Sequence, residues 1–219
     1  MKTCKEMVTE FHRLNGAVVN GRQNGPDVAV LRARLIIEEF AETVAALHKN
    51  DAVEVADGLA DLLYVIYGTA VSYGVPCDDV FRQTGRQPAI SFGRAAVLSF
   101  ITTLLPRLWV ACTLLEENPR GEDLGPALCA LASEVCRFAT AWGLPMRELF
   151  EEVHRSNLTK TFAPAQNTPG GKYGAVNPKG PGYRPPNIQG VLELVRKAAL
   201  DGLIGVTRLT SNGQVGDKT

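Results

Sequence analysis

What this sequence lacks already narrows its function. It has no net charge, with 23 Lys plus Arg balanced by 23 Asp plus Glu, so attraction to nucleic acid through bulk electrostatics is not expected. Cysteine is sparse. Cys4, Cys77, Cys112, Cys129 and Cys136 include no CxxC pair, which argues against a zinc knuckle and against a disulfide scaffold and makes a reducing, cytoplasmic setting the expectation. Only three histidines and 7% aromatic residues are present. The first twelve residues intersperse Lys and Glu among isolated apolar residues and hold no continuous apolar stretch of the secretory kind. Strand-like alternation is scarce, its best instance being Leu203 to Leu209.

What is present is helical periodicity and enough apolar residues, 45% of the chain, for a core. Apolar residues recur at three and four in Leu31, Leu35, Phe40, Val44 and Leu47, and again in Leu59, Leu62, Leu63, Ile66 and Ala70. The pattern returns in Val97, Ile101, Leu104, Leu108 and Leu115, and in Leu128, Leu131, Val135, Phe138 and Trp142. Gly and Pro punctuate the intervals, and residues 164–186 are rich in Gly, Pro and Asn. The expected fold is an all-α helical bundle with an irregular C-terminal arm. Ala95 to Leu115 is long and apolar enough to raise a membrane span, but Pro106 and Arg107 at its centre favour a buried helix.

The middle of the chain repeats itself. Ser72-Tyr73-Gly74-Val75-Pro76 followed by Val80-Phe81 aligns with Ala141-Trp142-Gly143-Leu144-Pro145 followed by Leu149-Phe150 at an offset of 69. Leu47-His48-Lys49-Asn50 aligns with Leu115-Glu116-Glu117-Asn118 at 68. Residues 30–83 and 98–152 are therefore expected to be two copies of one helix pair, which together would complete a four-helix bundle. The expected division is a helical domain over 1–160 and an arm with a short helix and a disordered tail over 161–219.

The main chemical signal is Glu38-Glu39-Phe40-Ala41-Glu42 followed by Glu54-Val55-Ala56-Asp57-Gly58-Leu59-Ala60-Asp61. Helical spacing clusters Glu38, Glu39 and Glu42 on one face and Glu54, Asp57 and Asp61 on another. From Glu38 to Asp61 there are seven acids and one base, Lys49. Crowded carboxylates repel one another unless compensated, and a divalent cation is the natural compensation. All-oxygen donors point to Mg²⁺ or Mn²⁺ rather than zinc; the competing reading is a solvated acidic face. In the second copy the same positions hold Pro106, Arg107, Val110, Pro126 and Ala130, so one site per chain is expected.

These residues resemble the all-α nucleoside triphosphate pyrophosphohydrolases, including MazG-like enzymes, dimeric dUTPases and phosphoribosyl-ATP pyrophosphohydrolases, whose signature is EExxE on one helix and ExxD on the next. Glu38, Glu39 and Glu42 match the first part. For the second, either Glu54 with Asp57 fits the spacing, or Asp61 fits the family context with Gly58 in place of the Glu and Asp57 alongside. The likeness resumes at Glu152-Val153-His154-Arg155-Ser156-Asn157-Leu158-Thr159-Lys160, and at Gly171-Lys172 and Lys179 to Ile188 it is similar to the arm of phage and bacterial MazG-like proteins. The stretch from Phe81 to Phe150 looks like an insertion relative to shorter relatives.

The resemblance implies Mg²⁺-dependent conversion of a (deoxy)nucleoside triphosphate to the monophosphate and pyrophosphate. Glu39, Glu42, Asp57 and Asp61 would hold two or more ions and Glu38 would position or deprotonate the attacking water. Asn157, Lys160, Lys172, Lys179, Arg155 and Tyr183 are the implied substrate contacts, with Phe11 and Asn15 candidates for the base. From Arg155 to Lys197 there are seven bases and one acid, a cationic complement to the carboxylates. Specificity for phosphoribosyl-ATP or for one deoxynucleotide such as dGTP, and a non-catalytic nucleotide-binding regulator motivated by Gly58, are the alternatives. The expected partner beyond substrate is a second copy, as a homo-dimer or homo-tetramer, with neither nucleic acid nor membrane. His12 and His48 are expected at the surface or at helix caps.

Overall fold

The computed structural model describes residues 1–21, 25–81, 91–117, 122–160 and 181–211. Seven helices follow in order: α1 (Cys4–Leu14), α2 (Pro26–Lys49), α3 (Ala52–Tyr73), α4 (Arg94–Glu117), α5 (Leu124–Ala141), α6 (Met146–Asn157) and α7 (Ile188–Ser211). No strand occurs among the described residues. Leu203 to Leu209, the strand candidate, lies inside α7, so its short alternation does not override helix continuation. The helix of the arm, α7, is not short but runs over 24 residues, and residues 212–219 of the expected tail lie outside the described residues.

Local chemistry sets the helix ends. Thr3 and Glu6 form a capping box at α1, the Thr3 hydroxyl accepting from Glu6 N and the Glu6 carboxylate from Thr3 N. Pro26 opens α2, where its missing N–H is not needed. Asn50 closes α2 in the left-handed region at φ 60°, and Asp51 at once caps α3 through Val53 N and Glu54 N. A two-residue connection of this kind holds α2 and α3 as an antiparallel hairpin.

Helix α3 is the central rod. It buries fifteen residues, from Val55 to Tyr73, and packs against α1, α2, α5, α6 and α7. Helices α2 and α4 pack on each other, α4 packs on α5, and α5 returns to α3, so α2 to α5 form a closed ring of four. Phe40 of α2 stacks on Phe100 of α4 at 5.7 Å, and Phe100 meets Phe138 of α5 edge-on at 5.3 Å.

The two hairpins of this ring agree in detail. Helix α4 begins and ends 68 residues after α2, and both have 24 residues. Gly74 and Gly143, 69 apart, end α3 and the α5 segment at φ 70° and 69°. At each, the next amide closes the helix end, Val75 N to Ala70 O at 3.1 Å and Leu144 N to Ala139 O at 2.8 Å.

Helix α4 departs from the expectation of a buried helix. It buries Phe100, Leu104, Leu108, Ala111 and Leu115, but leaves Leu98, Leu105, Trp109 and Val110 in solvent. Both α3 and α4 are long and apolar enough to cross a membrane; the apolar stretch of α3 is largely enclosed by the protein, whereas most of that of α4 is not.

Candidate active site

The carboxylates gather where α2 and α3 face each other. Burial pushes the Glu39 carboxyl up to about 7; Glu42, Asp57 and Glu38 push it the same way, and Lys160 opposes them. Asp61 is raised well above the ordinary carboxylate range, first by burial and then by Glu39 and Asp57, again with Lys160 pulling it down. Glu42 acts on both. Four acids from two helices therefore feel one another, and one lysine from the end of α6 feels them in turn. Glu38 is more exposed and faces Arg34 at 3.6 Å.

Glu54 stands apart from this group. It is exposed in the first turn of α3, where its amide is capped by Asp51, and it is not among the charges acting on Glu39 or Asp61. A carboxylate there suits the positive end of the helix dipole.

Gly58 has a packing reason. A Cβ at this position would lie 2.6 Å from Thr43 Oγ1 and 3.2 Å from Thr43 Cα, so α3 can close on α2 only if residue 58 has no side chain. Thr43 is fully buried at this crossing, and its hydroxyl donates to Glu39 O at 2.8 Å. The absence of a Glu here thus belongs to the helix crossing that brings Glu39 and Glu42 up to Asp57 and Asp61.

The second wall comes from α1, α3 and α6. The Tyr64 hydroxyl, one turn beyond Asp61, meets His154 Nδ1 at 2.9 Å and also hydrogen-bonds the Asn157 side chain. His154 Nε2 lies 3.3 Å from Glu10, which holds Lys2. Burial lowers the His154 pKa, with Glu10 opposing it. Phe11 stands edge-on to Tyr64 at 5.6 Å. Asn157 is buried, so its amide is held in place against Tyr64. Asn15 caps α1, its amide directed at Phe11 O.

The remaining implied contacts fare differently. Arg155 is bound to Glu152 and to Pro185 O, and Tyr183 lies close enough to act on its charge. With Ser156 Oγ on Arg184 O, Arg184 N on Thr159 Oγ1 and Asn187 N on Glu152, this arginine fastens the returning arm to α6. Lys172 and Lys179 lie outside the described residues.

His12 corrects the expectation of a surface or cap histidine: it is 2% exposed. Its Nδ1 is 2.9 Å from Val18 O and its Nε2 3.3 Å from the buried Arg32 Nη2, an arrangement satisfied when Nδ1 donates and Nε2 accepts. Burial and the Arg32 charge lower its pKa to about 4. His48 is exposed, as expected.

The second hairpin has a groove where the first has its acids. Between α4 and α5 lies a groove of about 310 Å³ lined by Thr103, Pro106, Arg107, Val110, Ala127 and Ala130. By the offsets of 68 and 69 these stand where the first hairpin has Leu35, Glu38, Glu39, Glu42, Gly58 and Asp61.

As the side chains stand, no three Asp, Glu, His or Cys groups among the described residues form a finished metal cage. The donor set is nevertheless of the kind a hard cation takes: oxygen-only and crowded, with Glu39 and Asp61 raised in proton affinity by burial and by their acidic neighbours. Glu39, Glu42, Asp57 and Asp61 are the residues that could hold Mg²⁺ or Mn²⁺.

Comparison with known proteins adds to this geometry. Residues 8–87 match the family described as phosphoribosyl-ATP pyrophosphohydrolase. An uncharacterized protein of Acanthamoeba polyphaga mimivirus is 26% identical over 179 residues, covering 72% of this chain and 71% of its own length. No solved structure matches significantly.

Proposed function

We propose that this protein, whose residues 8–87, including α2 and α3, match the family described as phosphoribosyl-ATP pyrophosphohydrolase, is a Mg²⁺-dependent nucleoside triphosphate diphosphohydrolase. Its reaction would be attack of water on the α-phosphorus of a (deoxy)nucleoside triphosphate, with cleavage of the bond to the bridging oxygen and departure of pyrophosphate. The observation that carries this reading is the mutual influence of Glu39, Glu42, Asp57 and Asp61 together with Lys160. A triphosphate needs positive charge on its oxygens; lysine supplies it from one side, and cation-loaded carboxylates supply it from the other.

Bound Mg²⁺ would polarise the phosphoryl oxygens and lower the pKa of a coordinated water. Glu38, exposed at the edge of the cluster, is the group to position or deprotonate that water. Asn157, held by Tyr64, is a fixed amide for the sugar or base, and Phe11 offers a ring on the same side. The alternative of a binding module without turnover rested on Gly58, and the close approach of Thr43 removes that motive.

Pyrophosphate release should be measured over all canonical ribo- and deoxynucleoside triphosphates and phosphoribosyl-ATP, with and without Mg²⁺. Mg²⁺-dependent release from at least one supports the proposal. Release from phosphoribosyl-ATP alone narrows it to the named activity of the matched family. Nucleotide binding with no release under any condition overturns it.

A further inference from the structure

A chain of polar contacts runs through the second wall of the site. It starts with Lys2 Nζ on Glu10 at 2.7 Å, passes from Glu10 to His154 Nε2 at 3.3 Å and from His154 Nδ1 to the Tyr64 hydroxyl at 2.9 Å, and ends at the Asn157 side chain. Lys2 and Glu10 reach solvent, whereas His154, Tyr64 and Asn157 are buried. Separate helices supply the links: α1 gives Glu10, α3 gives Tyr64, and α6 gives His154 and Asn157.

The outer end of the chain fixes the direction of every link. Lys2 keeps Glu10 ionised, and a carboxylate can only accept, so His154 Nε2 donates. Burial favours the neutral imidazole, and a neutral ring with its proton on Nε2 has Nδ1 as an acceptor. The Tyr64 hydroxyl therefore gives its proton to Nδ1 and offers Asn157 a lone pair. Only the NH₂ of the amide can meet a lone pair; the carbonyl would face another acceptor. Asn157 also favours the ionised form of the Tyr64 phenol, which is the effect of a donor.

The inner end lies beside the phosphate place. Tyr64 stands about one helical turn from Asp61, and Asn157 one turn before Lys160, whose N donates to Asn157 O at 3.1 Å. Lys160 and Asp61 act on each other across the site. In a nucleotide the sugar joins the phosphates to the base, so a group at this distance meets the sugar first. We propose that Glu10, His154 and Tyr64 are positioning residues that hold the Asn157 amide in one orientation, its NH₂ on Tyr64 and its carbonyl toward the nucleotide, where that carbonyl accepts from a sugar hydroxyl. This assignment rests on the triphosphate reading of the site. A carbonyl held in this way rejects a sugar without a hydroxyl, because a buried acceptor is then left unpaired.

The test compares the triphosphate that gives the fastest pyrophosphate release with its 2′,3′-dideoxy analogue, which lacks both ring hydroxyls. Wild type should prefer the parent by on the order of 10-fold or more in kcat/KM, chiefly through KM. Tyr64→Phe keeps the ring against Phe11 and Phe150 and should shrink that preference to within about threefold. Glu10→Ala should lower it too. A purely structural loss would slow both substrates alike. Without any nucleotide, long-range ¹H–¹⁵N NMR should place the His154 proton on Nε2, the signal being identified by its absence in His154→Gln. Equal use of both substrates by wild type, an unchanged preference in Tyr64→Phe, or a His154 proton on Nδ1 overturns the assignment. If no triphosphate is hydrolysed, the hydrolase reading falls, and the same preference taken from calorimetric dissociation constants decides this one.

Discussion

The hairpin α2–α3 and the hairpin α4–α5 share the length of their first helix and left-handed glycine ends, yet only the first carries the crowded acids. Where α2 has Glu38, Glu39 and Glu42, α4 has Pro106, Arg107 and Val110; where α3 has Asp61, α5 has Ala130. The comparison separates scaffold from chemistry. Helix length, caps and buried faces persist without the carboxylates, so the carboxylates are not what holds a hairpin of this kind together. At the crossing, Thr43 meets Gly58 in the first hairpin, whereas Ala111 and Ala127 stand at those positions in the second. Bulk that one pair places on one helix is shared between both helices in the other.

The sharpest way to break this comparison is through turnover. Asp61→Asn or Glu42→Ala should lower pyrophosphate release by on the order of 10³-fold, with unchanged far-UV circular dichroism. Val110→Ala and Arg107→Ala, at the matching places of the other cleft, should leave the rate within about twofold. Because Asp61→Asn removes a carboxyl whose ionised form burial and neighbouring acids disfavour, the metal-free variant should also melt higher than wild type, which differential scanning calorimetry would register.

A second difference lies at Arg32 and its counterpart Phe100. Phe100 sits among Phe40, Phe138 and Trp142, whereas Arg32 leans on His12. The pKa of His12 is about 4 in the fold and 6.5 for the free side chain. Between these values the unfolded chain binds a proton that the native one refuses, so this contribution is complete above pH 6.5 and is lost as pH falls toward 4, by at most about 3 kcal/mol. Urea unfolding at pH 7 and pH 5 should show the loss, and His12→Gln should flatten it.

Smaller effects follow at the crossings. Gly58→Ala should destabilise by about 1–3 kcal/mol through overpacking against Thr43, despite alanine's better helix propensity. Ala127→Gly, its counterpart, should cost only about 1 kcal/mol. Smallest is Arg107→Ala, which loses a half-exposed pair with Glu134 and should change stability by less than about 1 kcal/mol. Thermal or chemical denaturation of the three variants orders them.

Much of the frame was legible in the chain because helical periodicity and Gly-Pro punctuation are local. The four ring helices and both glycine ends were readable this way. Helix α1 was missed, although Thr3 and Glu6 are a capping box written at its start. His12 was misjudged because nothing in its neighbourhood along the chain announces Arg32, twenty residues on. Glu54 and Asp57 could not be told apart by spacing alone, since both lie on a face of α3. Gly58 read as a missing acid until Thr43 of the facing helix stood against it.

By itself the sequence determined where the four ring helices lie, that two hairpins follow one pattern, and that acids concentrate in the first, because each of these depends on residues within a few turns of one another. Tertiary structure alone decided which acids act on one another, that Lys160 faces them, that Arg155 fastens the arm, and that one side of α4 stays in water. Those outcomes depend on which helix lies opposite. Electrostatic coupling and desolvation are set by distances through space, which periodicity along a chain does not encode.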